Sequence, residues 1–199
     1  MSARTRSTTG AGRTTTAEPG IEVLARGTWP EAGDEVPAGP PRLAGFVVSS
    51  FSPLAAEAAN RCLRAHHGEA PVPPERGDRT AVVVVSRLGD FTTDRAVGAA
   101  VVAGRPVQPL LFFQSVPNAV VGHVATAWGL RGPVVCFSPE GDQEEAALDY
   151  ARLLFEDGEA DEALLVLVES AVEEGVHGSA TALLAAPRDG GVVVREGRP

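Results

Sequence analysis

Asn118-Ala-Val-Val-Gly-His-Val-Ala-Thr-Ala-Trp-Gly-Leu-Arg-Gly-Pro133 runs directly into Val134-Val-Cys-Phe-Ser-Pro-Glu-Gly141-Asp-Gln-Glu-Glu-Ala-Ala-Leu148. Asp149-Tyr-Ala-Arg-Leu-Leu-Phe-Glu-Asp-Gly158-Glu-Ala-Asp-Glu-Ala-Leu-Leu165 follows. The apolar spacing predicts a helix over Asn118–Trp128, closed by the Gly129 to Pro133 turn, then a short strand over Val134–Phe137. A second helix over Gln143–Glu156 and a strand over Ala163–Val168 complete the passage. Gly141 stands where that strand hands over to that helix, and the acids of the first helical turn complement the helix dipole.

Working outward, Ile21–Arg26 reads as a first strand, 30–41 as a loop, and Phe46-Val-Val-Ser49 as a segment ending at a turn. From Pro53 to His66 the apolar positions Leu54, Ala55, Ala58, Ala59, Cys62 and Leu63 recur at helical spacing, with Ser52 as the expected N-cap. The Pro-rich loop 71–78 leads into Ala81-Val-Val-Val-Val85, a β-branched run suited to a strand buried on both faces. Thr92 or Thr93 is expected to open a helix through Val102 that Gly104 closes, and Pro106 and Pro109 mark a loop. Ser179–Ala185 and Val192–Arg195 read as two final strands.

Strands alternating with helices predict a layered α/β fold with a mixed central sheet. Residues 1–20, poor in large apolar side chains, are expected to form a disordered arm, with 21–199 a single domain.

The chain has 199 residues and 44% hydrophobic composition, enough for a substantial core. Its net charge is −9 and all 17 basic residues are arginine. No chemical step can therefore use a lysine of this chain. The charge is concentrated: from Ser138 to Glu174 thirteen acids face Arg152 alone, giving −12 there and +3 elsewhere. Such a field argues against nucleic acid and against direct docking of an acidic carrier protein on that face.

Cys62 and Cys136 lie in apolar patterns and form no metal-ligand spacing or disulfide framework. No metal or cofactor signature is found. No apolar run is long enough to span a bilayer and no secretory signal pattern is present, so a cytoplasmic location without membrane contact is expected.

Two anchors carry a family resemblance. Gly129-Leu130-Arg131-Gly132-Pro133 matches the turn that precedes the nucleophile strand of β-ketoacyl synthases, and Gly158-Glu159-Ala160-Asp161 matches the turn after the nucleophile helix, with no gap between them. Ser86-Arg87-Leu88-Gly89-Asp90 and Gln108-Pro-Leu-Leu-Phe-Phe-Gln-Ser-Val-Pro-Asn118 resemble the short β-ketoacyl synthase-like N-terminal proteins of polyketide and aryl-polyene gene clusters. The resemblance covers about residues 42–187. It implies a thiolase-like half-fold, with the family's acyl-accepting cysteine falling on Gly141.

Glycine has no side chain to acylate, and carboxylates at Glu140 and Asp142 would raise the pKa of a thiol placed there. Cys136, five residues earlier, reads as a packed strand thiol, with a substitute nucleophile as the competing reading. Ser138 reads as a turn or cap residue, because no histidine neighbours it in sequence. His177-Gly-Ser-Ala-Thr181 is superficially similar to a catalytic His-Gly-Thr-Gly-Thr motif. It lies only 36 positions after Gly141, however, and reads as a loop. His123 reads as a hydrogen-bonding helix residue, and His66 and His67 as cations suited to a helix C-terminus.

The resemblance implies a catalytically inactive, truncated subunit that pairs with an active ketosynthase, similar to a chain-length factor, in polyketide, polyene or fatty-acid-like biosynthesis. It implies pairing through Val134, Val135, Cys136 and Phe137, with Phe112, Phe113 and Asn118 at or near the interface, ordinary core aromatics being the competing reading for this segment. Any acyl carrier protein would be engaged only indirectly. The alternatives are a small acyl-thioester-acting enzyme (acyltransferase, hydrolase or cyclase) using Cys136, Ser138 or His177, and a homodimeric scaffold or intermediate binder.

Overall fold

The computed structural model describes residues 20–36, 39–172 and 177–188. Its core is built on Thr80–Val85 (β2), whose six residues are all buried. Val82 and Val84 point to one side of the sheet, Ala81, Val83 and Val85 to the other. Only a central strand covered on both faces makes a run of valines stable in this way.

β2 lies parallel to Val134–Phe137 (β3) on one side and to Glu162–Glu169 (β4) on the other. Ser179–Pro187 (β5) pairs antiparallel with β4 and with Ile21–Trp29 (β1). The resulting five-stranded mixed sheet has the order β1-β5-β4-β2-β3, which leaves β3 at one edge.

One face is covered by Phe51–His67 (α1) and Asn118–Trp128 (α5). Trp128 Nε1 donates to Asn60 Oδ1 at 2.7 Å and so ties the two helices together. α1 lies close on β1 because Gly27 offers no side chain: a Cβ there would come within 2.6 Å of the Ala58 carbonyl oxygen. Gln143–Glu156 (α6) covers the other face through Ala147, Ala151, Leu154 and Phe155. The layered α/β expectation with a mixed central sheet is met, as are the spans of α5, β3 and α6.

Several local expectations are corrected. Helix α1 starts at Phe51, not Pro53; Ser50 stands at its N-cap without a side-chain capping bond, its hydroxyl meeting that of Thr92 instead, while Ser49 Oγ accepts from Ser52 N–H at 2.8 Å. The next helix, Phe91–Val102, follows the short helix Pro74–Gly77 (α2) and is α3; it is opened by Asp90 instead of a threonine. Asp90 Oδ1 accepts from Thr93 N–H at 3.1 Å and Oδ2 from the Thr93 hydroxyl at 2.9 Å, so the carboxylate outcompetes the hydroxyl as cap. The expected loop at Pro109 is the short helix Pro109–Gln114 (α4), with proline at its first turn, where its missing N–H costs nothing. β1 runs on past Arg26 to Trp29, held by β5. The expected arm through residue 19 and the strand Val192–Arg195 lie outside the described residues.

Candidate functional site

Parallel strands β2, β3 and β4 end on the same side of the sheet, and open α/β sheets bind ligands beyond such carboxyl ends. Three connections meet there. Arg87 follows β2, the segment Ser138 to Asp142 joins β3 to α6, and Glu169 closes β4.

Asp142 caps α6 through Oδ1, which accepts from Glu145 N–H at 2.9 Å. Gly141 sits just before it. A Cβ at Gly141 would meet nothing within 4 Å, and its backbone does not occupy the left-handed region. The absence of a side chain is thus not imposed by packing. Arg87 reaches over this point: it donates to the Gly141 carbonyl at 2.8 Å and to Glu169 Oε1 at 2.8 Å. Gln143 Nε2 donates to the same Glu169 oxygen. The guanidinium is therefore spent on a carbonyl and a carboxylate, and Glu140, Asp142 and Glu144 keep the helix start acidic. This electrostatic setting opposes an oxyanion and a thiolate alike.

Cys136 points from β3 toward the α1 and α5 side of the sheet, opposite Val84. Burial pushes its thiol up to about 11, against a backbone hydrogen bond from Val84 that acts the other way. At neutral pH it is a protonated thiol and a poor nucleophile. Cys62, fully buried in α1, is likewise pushed up to about 12 by burial.

Ser138 and Cys136 share a cleft of about 290 Å³ with Ser86, Gly89 and Pro117. The Ser138 hydroxyl donates to the Arg87 carbonyl at 3.3 Å. His177 lines a different groove, beside Trp29, Leu43 and Phe46. No histidine lines the cleft of Cys136 and Ser138, so the structure does not assemble the three residues into one site. His123 is exposed on α5 and meets the Phe46 ring edge-on, with centroids 6.2 Å apart.

The contact surface is more developed. β3 pairs only with β2, so its outer edge faces no other strand among the described residues, and Val134 is 49% exposed. Phe137 is anchored on α6 by Tyr150, ring centroids 5.5 Å apart. α5 packs on β3, α4 on α5 and α3 on α4, and α3 buries only Thr93 although it reads Phe-Thr-Thr-Asp-Arg-Ala-Val-Gly-Ala-Ala-Val-Val. On α4, Phe112 and Phe113 are 60% and 68% exposed, and Leu110 and Val116 stand out beside them. Asn118 begins α5 at the rim of this area, also exposed.

Sequence reasoning missed the Arg87, Gln143 and Glu169 cluster. Its signal was available in position alone, since Arg87 and Glu169 each follow or end a wholly apolar strand core.

Residues 47–188 match the sequence model of the beta-ketoacyl synthase N-terminal domain. The chain belongs to that family. No curated protein matches it in sequence. Among solved structures it is similar to a chain of the ketosynthase ApeO in complex with its chain length factor ApeC from Xenorhabdus doucetiae. That match has 18% identity and a TM-score of 0.64, over 86% of this chain and 80% of that one. A β-ketoacyl synthase from Burkholderia phymatum STM815 matches at 17% identity and TM-score 0.64, over 85% of this chain and 59% of its own. The ishigamide ketosynthase/chain length factor matches at 20% identity and TM-score 0.58, over 78% of this chain and 48% of its own. The family chain thus spans about half to three fifths of two of these relatives and four fifths of the other. At these identities the likeness establishes the thiolase-like fold.

Proposed function

We propose that this chain is a non-catalytic β-ketoacyl synthase-like subunit that pairs with an active ketosynthase and shapes or stabilises it, in the manner of a chain-length factor. The pathway class is polyketide, polyene or fatty-acid-like biosynthesis. Residues 21–199 act as one domain in this role. One observation carries the reading: β3 is an edge strand packed by α5, and α4 and α3 continue from α5 with exposed apolar side chains, in a chain with glycine at the position matched to the family's nucleophile. An exposed edge strand invites pairing, and apolar patches of this kind mark contact sites.

The two ketosynthase and chain length factor assemblies among its structural neighbours support the partner class. Backbone groups of Val134 to Phe137 form the pairing edge. Phe112 and Phe113 supply apolar anchors, with Asn118 at the rim. The acidic α6 face stays in solvent and repels an acidic carrier protein, which is engaged through the partner.

Co-expression with a candidate partner ketosynthase, followed by size-exclusion chromatography and a condensation assay, tests the proposal. One co-eluting peak with altered synthase stability or product length is expected. Separate peaks with unchanged synthase activity would refute it, and a stable homodimer would favour a scaffold instead.

A further inference from the structure

At the other end of the sheet, where β4 begins, two imidazoles and a carboxylate converge. His66 and His67 are the last residues of α1, which stops at Gly68 with φ +79°. Glu162 is the first residue of β4 and lies opposite Thr80, the first residue of β2. One ligand atom from each of His66, His67 and Glu162 lies within 4.8 Å of the other two.

A cationic group already occupies their focus. Arg76, on α2, places Nη1 3.5 Å from His66 Nε2, 3.5 Å from His67 Nδ1 and 3.6 Å from Glu162 Oε1. All three distances are at or beyond the limit of a useful hydrogen bond. The Arg76 side chain is 52% exposed and can swing into water. What remains behind is poorly satisfied. The His67 side chain is only 3% exposed, and its Nε2 and Glu162 Oε2, 3.4 Å apart, have no hydrogen-bond partner among the described residues. A metal in the place of Arg76 takes the atoms that face it, His67 Nδ1 and Glu162 Oε1, and so fixes the His67 Nε2–H tautomer that points at Glu162 Oε2.

We propose that His66, His67 and Glu162 form a divalent transition-metal site, with Arg76 as the side chain that the metal displaces. Two imidazoles and one carboxylate suit Zn²⁺, Co²⁺ or Ni²⁺ rather than Mg²⁺ or Ca²⁺, and leave a fourth position for water. Metal–ligand distances of about 2.0–2.2 Å require the three side chains to close in by roughly 1.4 Å. His66 permits this, being exposed at a helix end. The ion would clamp the end of α1 onto the start of β4. It lies away from β3 and does not depend on the pairing proposal.

The test uses the untagged full chain, stripped with chelator and titrated with Co²⁺ in the visible region and with Zn²⁺ by calorimetry. One equivalent is expected to bind, with tetrahedral cobalt bands and a rise in Tm. His66→Ala, an exposed change, and Glu162→Gln, an isosteric one, should each weaken binding at least about tenfold. Arg76→Ala should tighten it by removing the competing cation. A His123→Ala, His177→Ala double variant should leave it unchanged. The site is refuted by no uptake, by equal affinity in His66→Ala and Glu162→Gln, or by loss in the double variant. Unchanged or weaker affinity in Arg76→Ala would refute the displacement.

Discussion

Gly141 is where open space for a side chain and acidic neighbours coincide. Space for a Cβ exists there, so Gly141→Cys should fold with a stability change within about 0.5 kcal/mol, as for other unconstrained surface positions. The introduced thiol should still fail as an acyl acceptor, since Glu140 and Asp142 flank it and Arg87 is held by Glu169. Its alkylation rate against pH should give a midpoint at or above the ordinary value of about 8.5. A midpoint below about 7.5, or an acyl adduct by mass spectrometry, would show that only the sulfur had been missing.

Cys136 in the native chain should alkylate slowly at pH 7 and accelerate toward pH 11, because burial disfavours its thiolate. Fast labelling at neutral pH would revive it as a nucleophile. Both positions were legible in sequence, since two glycine-bearing turns fix the register between them. For the Arg87, Gln143 and Glu169 cluster only the places of Arg87 and Glu169 after apolar strand cores were legible; their meeting was not, because the members come from the end of β2, the start of α6 and the end of β4, up to 82 positions apart. Convergence of that kind belongs to the sheet order.

Among the elements, α3 and α4 carry the most information about contact. The α3 sequence is apolar on nearly every side, a pattern that fits burial. In the structure none of its apolar side chains is fully buried: Phe91 and Val97 are half-buried, Val101 is 63% and Val102 90% exposed. Periodicity cannot distinguish burial in a chain's own core from burial against another chain. The helix α4 was hidden for a different reason, because Pro109 reads as a loop signal but serves as the first turn of a helix.

Phe113→Asp should leave Tm nearly unchanged, as the ring makes little of the core. It should weaken the complex with the ketosynthase by about 2 kcal/mol or more, roughly thirtyfold in Kd. A folded variant that binds with native affinity would remove α4 from the interface.

At the level of the whole molecule, alternation of apolar runs was enough to announce an α/β fold, and the valine run of β2 to announce a strand covered on both faces. The order β1-β5-β4-β2-β3 was not deducible from those patterns, because it depends on which strands meet across more than 150 residues of chain, as β1 and β5 do. That order leaves β3 as an open edge beside α5 and the apolar helices, and sets the acidic face of α6 apart from them. The molecule therefore presents one surface fit for a partner and another fit for water.

The most direct measurement is co-purification of this chain with a candidate partner ketosynthase, with Phe113→Asp in parallel. Pairing predicts a single stoichiometric complex for the native chain, with altered synthase stability or product length, and a complex lost in the variant. Two separate species for the native chain, with synthase activity unchanged, would contradict it.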